Sequence, residues 1–238
     1  MIDLAVRTHR EEQMDAVDLD GGIYRQVLTD LSRVNRWTLT ARPVLGYLDR
    51  AAARLPSFSL LDVGFGHGDI LRSIARWAAK RDIVARLVGV DLNAKSAAVA
   101  REVTPASLPI EYHTGDYRDL SQDFDFIVSS QVTHHMTDAQ LREFVCHMEA
   151  NAGKGWLICD LHRHRFAHAG FPLLARLMGV HRIVREDGRL SIARSFRADE
   201  WAAILASAGI EPGTVRPGTV QIVRRFPFRL CVERVRQS

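Results

Sequence analysis

The residues whose types and spacing most directly imply chemistry run Leu60-Leu61-Asp62-Val63-Gly64-Phe65-Gly66-His67-Gly68-Asp69 in a chain of 238 residues. A buried strand that turns through three glycines straight into a helix lets a ligand lie against backbone, and the helix start offers unpaired N–H groups. The chemistry expected there is the holding of a nucleotide-like molecule. Charge narrows the choice. A G-x-G-x-x-G dinucleotide fingerprint would put glycine or alanine at Asp69, whose carboxylate in the first helical turn would repel a pyrophosphate. The phosphate loop G-x-x-x-x-G-K-[ST] fails as well, since neither Lys nor Ser/Thr follows Gly68. NAD and ATP are therefore both disfavoured.

Two further acids close short apolar runs. Val88-Gly89-Val90-Asp91 ends in a carboxylate able to take both hydroxyls of a ribose, and Gly115-Asp116-Tyr117 can address an adenine amino group. S-adenosylmethionine has no phosphate, carries a sulfonium and ends in an amino-acid moiety, so a strand-end acid such as Asp62 is compatible with it. All three acids fall at carboxyl ends of expected strands, the face where open α/β sheets bind ligands. Here the chain resembles the class I S-adenosylmethionine-dependent methyltransferases over roughly Phe58 to Leu161. The motif order is Asp-x-Gly-x-Gly-x-Gly, then Asp91, then Gly-Asp116, then Asp123-Phe-Asp-Phe-Ile-Val-Ser-Ser. The resemblance implies that Gly64, Gly66 and Gly68 line the cofactor, that Asp91 holds its ribose and Asp116 its adenine, and that Ser130 lies near its methionine end. Asp62, Leu92 and Tyr117 complete the expected cofactor-binding set. More loosely, Asp30-Leu31-Ser32-Arg33-Val34-Asn35-Arg36 and Ser129-Ser130-Gln131-Val132-Thr133-His134-His135 are similar to small-molecule methyltransferases found beside bacterial type III polyketide synthases. That implies a phenolic or polyketide acceptor.

Methyl transfer from a sulfonium is an in-line displacement in which the protein orients the nucleophile and excludes water. A base matters only for a protonated acceptor. For a phenol of pKa about 10 and a histidine near 6.5 the gap is roughly 3.5 units, close to 5 kcal/mol, so positioning must carry most of the rate. The candidate catalytic residues are His134 and His135 after the fourth strand and His162 just past the fifth, with His164 beside it. His67 is expected to shape the cofactor pocket or face solvent. A metal site from Asp160, His162, His164 and His168 is not expected: H-E-x-x-H spacing is missing, and no acid follows His162 before Glu186. Arg163, Arg165, Arg176, Arg182 and Arg185 space as the solvated side of an inserted helix, and no nucleic-acid partner is expected. No Asn/Asp-Pro-Pro-Tyr motif of amino-group methylation is present.

These residues need elements to hold them. Apolar runs at Phe58 to Val63, Val84 to Val90, Phe124 to Val128 and Trp156 to Leu161, with a weaker one at Ile110 to His113, alternate with helical patterns as in a parallel sheet covered on both faces. The fold class is α/β, doubly wound, a mostly parallel seven-stranded Rossmann-like sheet with an N-terminal helical extension and an inserted lid. Residues 1–50 form the extension and 51–238 the cofactor-binding core, interrupted by an insertion at about 163–194. In the extension Ile23, Val27, Leu31 and Val34 make one helical stripe, which should pack beside the ligand mouth. In the insertion Phe166, Phe171, Leu173, Leu174, Leu177 and Met178 supply an apolar face. A helix from Asp199 to Ala208 stops at Gly209, and strands near Thr214 to Val223 and Arg229 to Val235 follow. Their order in the sheet is open.

Composition bounds the rest. No run approaches the roughly 18 apolar residues of a membrane helix, and the first twelve residues lack an apolar signal region, so no membrane partner and a cytoplasmic location are expected. Cys146, Cys159 and Cys231 have no CxxC spacing, and each reads as a small buried residue. A net charge of +4 is too mild to demand a nucleic acid. The expected activity is methylation of a small-molecule acceptor, with oxygen favoured over carbon. The alternatives are an RNA or protein methyltransferase and a non-catalytic cofactor-binding partner protein. A homodimer is compatible with this size of enzyme.

Overall fold

A computed structural model describes residues 3–120, 122–211, 213 and 218–236. Its strands are β1 (Ser57–Val63), β2 (Val84–Asp91), β3 (Ile110–Thr114), β4 (Phe124–Ser130), β5 (Ala152–Leu161), β6 (Gln221–Arg225) and β7 (Arg229–Val235). They form one seven-stranded sheet in the order β3-β2-β1-β4-β5-β7-β6. The strands β1 to β5 pair in parallel, while β7 runs antiparallel between β5 and β6. The order reverses between β1 and β4, which opens a crevice at their carboxyl ends.

The apolar runs are continuous because helices cover both faces. On one side α2 (Ala41–Ala51), α3 (Asp69–Ala79) and α4 (Ala94–Val103) pack Tyr47, Leu48, Leu71, Ile74 and Ala100 onto Leu60, Leu87 and Phe126. On the other, α5 (Asp138–Asn151) and α8 (Ala198–Ser207) pack Leu141, Phe144, Trp201 and Leu205 onto Leu61, Ile127 and Trp156. β5 begins four residues before the apolar run that signals it, since Gly153, Lys154 and Gly155 carry no apolar side chain. β6 begins at Gln221, and residues 214–217 of the strand expected from Thr214 lie outside the described residues.

Helix α1 (Gly21–Trp37) starts where the Asp20 carboxylate accepts the N–H groups of Gly22 at 2.8 Å and Ile23 at 3.0 Å. Its buried face is turned from the expected stripe: Ile23 is 39% exposed, whereas Tyr24, Val27, Leu28 and Val34 are buried. The cause is that α1 packs in two directions. Tyr24 and Leu28 meet Val99 of α4, and Val27 and Val34 meet the insertion. That insertion is a helical pair, α6 (Arg165–Leu177) and α7 (Arg182–Arg194). Buried Asp30 of α1 accepts the His181 N–H at 2.8 Å, and Arg33 donates to the Met178 carbonyl at 3.1 Å, so α1, α6 and α7 form one roof over the crevice. Of the apolar set in the insertion, Leu173 and Leu177 are largely exposed, Phe171 and Leu174 line the space beneath, and Phe166 lines its edge while remaining largely exposed.

Two side chains depart from expectation. Cys146 is exposed on α5, while Cys159 and Cys231 are buried. Arg163 is buried rather than solvated, donating to the carbonyls of Leu4 and Ser195 and to Glu200, because it lies just past the end of β5 beneath the N-terminal segment. Among the described residues no helix is long and apolar enough to cross a membrane.

Candidate active site

The glycine loop is shaped by close approach. Gly64 sits at φ +77°, and a Cβ there would lie 2.3 Å from Val132 Cγ2; Gly68, the N-cap of α3, sits at φ +75°, and its Cβ would lie 2.6 Å from the Tyr112 hydroxyl. Neither position has room or backbone freedom for a side chain. The loop is tied to the neighbouring strand: Gly64 N–H donates to the Val90 carbonyl at 2.7 Å, and Gly66 N–H to the Asp91 carboxylate at 2.9 Å. The other Asp91 oxygen accepts Asn93 N–H at 2.9 Å. Each oxygen keeps a lone pair for a ligand hydroxyl.

Asp62 is buried, and neither of its carboxylate oxygens has a hydrogen-bond partner. Burial, with the charges of Asp69 and Asp91 added, pushes its carboxyl up to about 8. Burial likewise raises the Asp69 carboxyl, which accepts a hydrogen bond from Asn35 Nδ2 at 3.2 Å. A buried acid with two unmet acceptor oxygens requires donors from outside the chain. Three crowded carboxyls suit a ligand that brings cationic and hydroxyl donors and no phosphate. S-adenosylmethionine has that character, and the residues present fit it.

The loop borders a cavity of about 710 Å³. Of the residues expected to bind cofactor, Asp62, Gly64, Gly66, Asp91, Leu92, Tyr117 and Ser130 line it, with the Ser130 hydroxyl buried and unpartnered. His67 lines it too, with Nδ1 2.9 Å from Arg72 Nη2, and burial lowers its imidazole to about 4. Gly68 stands behind the wall as the helix start. Asp116 does not line the cavity. Its carboxylate accepts Arg118 N–H at 2.9 Å and the Arg118 guanidinium at 2.6 Å, capping the 3₁₀ turn Tyr117–Asp119, so Gly115 and Tyr117 take the wall position.

The histidines divide in the same way. His162 and His164 stay outside the cavity: β5 passes into a bridge between His162 and Phe196, the His162 N–H donates to the Phe228 carbonyl at 3.0 Å, and Leu161 faces inward instead. His134 and His135, on the 3₁₀ turn Thr133–His135, form part of the wall. His134 is buried with Nδ1 2.8 Å from Asp160 Oδ1, while Asp160 Oδ2 accepts the Thr133 hydroxyl at 2.6 Å and the His134 N–H at 3.0 Å. Burial alone would raise the Asp160 carboxyl; the charge of His134 and these bonds hold it at about 2. In a neutral ring an ionised Asp160 would keep the proton on Nδ1 and leave Nε2 as an acceptor.

Two contributors escaped the sequence reading. Glu12 is buried in the same wall, Oε1 3.6 Å from His134 Nε2 and Oε2 3.9 Å from His135 Nε2. Burial pushes its carboxyl up to about 7. Its place is set by α7, where Ser191 donates to it at 2.9 Å and Asp187 accepts the N–H groups of Gln13 and Met14. Nothing periodic marks Glu12 in the sequence. Asn35 is the second: its amide joins Asp69 to Gln131, whose Nε2 donates to Asn35 Oδ1 at 2.9 Å. Gln131 itself sits at φ +59°, a strained conformation for a non-glycine residue at a strand end. The signal for Asn35 is a polar residue next to the apolar stripe of α1.

Residues 60–155 match the family model described as a methyltransferase domain. The ubiquinone biosynthesis O-methyltransferase of Bordetella parapertussis (strain 12822) is 25% identical over 183 residues, 72% of this chain and 70% of that protein. Magnesium protoporphyrin IX methyltransferase from Synechocystis PCC 6803, solved with bound SAH, shares the fold with a TM-score of 0.56 at 16% identity, covering 94% of this chain and 92% of that one. A SAM-dependent methyltransferase from Aquifex aeolicus does so with a TM-score of 0.59 at 16% identity, covering 91% and 98%. Residues 60–155, which carry the glycine loop and the strand-end acids, are therefore similar to a methyltransferase domain.

Proposed function

We propose that the chain methylates a hydroxyl of a small, largely apolar acceptor of aromatic or polyketide type. One observation carries this reading. A single cavity runs from the glycine loop to the wall of Glu12 and His134, and its roof is apolar, with Leu28, Leu31 and Val34 from α1 and Phe171 and Leu174 from α6. A roofed apolar space suits a flat small molecule and opposes an RNA or protein chain, which needs an open face. The O-methyltransferase similarity supports oxygen as the accepting atom.

In this reading Asp62, Gly64, Gly66, Asp91, Leu92, Tyr117 and Ser130 hold the cofactor, and α1, α6 and α7 act as the lid. Bound S-adenosylmethionine supplies the activated methyl group. The acceptor hydroxyl meets His134 Nε2, which takes its proton, and Asp160 fixes the ring that does so. His135 stands beside it, and the lid keeps water from the acceptor oxygen.

The test is incubation of purified protein with S-adenosylmethionine and a panel of phenols and alkyl-bearing polyketide aromatics, followed by mass spectrometry. A gain of one methyl on a hydroxyl, lost in His134→Ala with cofactor binding retained, is expected. Transfer only to RNA or protein, or cofactor binding without transfer to any member of the panel, would overturn the reading.

A further inference from the structure

Glu12, His134 and His135 place one carboxylate oxygen and two imidazole nitrogens within 4.8 Å of one another on the cavity wall. The chain assembles them from distant parts, the histidines from the turn after β4 and the acid from the N-terminal segment that α7 holds in place.

Two observations go beyond proximity. Each imidazole has its Nδ1 on a carboxylate, His134 on Asp160 and His135 on Asp15, both at 2.8 Å. Both Nε2 atoms are thereby left on the side of Glu12, at 3.6 and 3.9 Å from its oxygens. A carboxylate behind each ligating histidine is the usual way in which metal-binding imidazoles are oriented and made more basic. The charge balance also favours a cation. Glu12, Asp15 and Asp160 converge on the two rings, opposed by Arg194, whose Nε is 3.9 Å from Glu12 Oε1, and by Arg7, whose guanidinium is turned to Asp138 and to the carbonyls of His134 and Met136.

We propose that Glu12, His134 and His135 form a site for a divalent first-row cation, zinc in particular, with its remaining positions open to the cavity. Two imidazoles and one carboxylate are a zinc-type donor set with an open coordination position, whereas magnesium and calcium prefer oxygen throughout. The Asp160, His162, His164 and His168 set weighed in the sequence is not the one the fold brings together. Ligation uses the His134 Nε2 lone pair to which the functional reading above assigns the acceptor's proton. Cation and proton then exclude each other there, and zinc inhibits methyl transfer.

The experiment uses the full chain, treated with chelator and titrated calorimetrically with zinc and with magnesium, and with cobalt followed by visible absorption. The exposed Cys146 is replaced throughout by Cys146→Ser. One equivalent of zinc with proton release is expected, with no comparable magnesium binding and with cobalt bands of a nitrogen–oxygen site. Glu12→Gln and the half-exposed His135→Ala should each weaken zinc binding at least tenfold. Binding should persist with S-adenosylhomocysteine present. Zinc binding unchanged in both variants marks an adventitious ion only and overturns the proposal, as does no stoichiometric binding in a chain whose circular dichroism shows it folded. Because binding is read without acceptor or turnover, failure of the methyl-transfer reading leaves this result intact. Zinc that binds as expected but leaves transfer unchanged overturns the claim of exclusion at His134.

Discussion

The carboxylate of Asp91, at the end of β2, accepts the backbone N–H of Gly66 at 2.9 Å, so the residue expected to hold a ribose also holds the loop beneath it. Asp91→Ala removes both. Calorimetry with S-adenosylmethionine should show affinity falling by about a hundredfold or more, the worth of two charge-assisted hydrogen bonds. Undiminished binding would take Asp91 out of the site.

Asp62 makes stability depend on pH. Its folded carboxyl titrates at about 8, against about 3.9 for an unfolded aspartate, so between those values the folded chain holds a proton that the unfolded chain has released. Below pH of about 4 both states are protonated and there is no penalty. As pH rises toward 8 stability falls by up to several kcal/mol, on the order of 1.4 kcal/mol per unit. Asp62→Asn should flatten this slope, and melting curves at pH 5 and pH 8 measure it. A wild-type chain whose melting point rises across that interval by more than the variant's would contradict the assignment.

Asn35 latches α1 to the cofactor loop through Asp69 and Gln131. Asn35→Ala should lower stability by about 1–2 kcal/mol and weaken cofactor binding several-fold, because two half-buried polar groups lose their partner. Denaturant unfolding and calorimetry on the same preparation separate the two effects.

Gly188 of α7 gives Phe171 of α6 its place, since a Cβ at 188 would lie 2.3 Å from the ring. Gly188→Leu should force the two lid helices apart, costing about 1–3 kcal/mol. The kinetic signature is a raised KM for the acceptor with cofactor affinity unchanged. A change in cofactor affinity alone would place the lid elsewhere.

Asp160→Asn keeps the shape of the His134 partner and removes its charge. Turnover should fall by about a hundredfold or more while S-adenosylhomocysteine still binds, as the imidazole loses the group that fixes its tautomer. Unchanged turnover would exclude His134 as the proton acceptor.

The parts legible in the sequence are those whose signal is local. The β1-glycine-α3 turn, the acids ending β1 and β2, and the five parallel strands follow from contiguous residues, since a buried strand must be apolar along its length and a tight turn beside a ligand must be glycine. His134 and His135 were equally legible, lying directly past a strand end. Asp116 and His162 had the same local credentials but do not line the cavity: a local contact, from Arg118 two residues away, captures the Asp116 carboxylate, and a tertiary one, the pairing of β5 with β7, carries His162 past the mouth. Only the folded chain could recruit Glu12 and Asn35. An apolar stripe states that α1 must be covered but not by what, and it is the docking of α1 on α4 and on the helical insertion that places Asn35 on Asp69 and, through Asp187, brings Glu12 to His134. Hydrophobic patterning is read along one element, whereas a polar cluster drawn from four segments depends on where those elements dock, a choice made by the summed packing of the whole core.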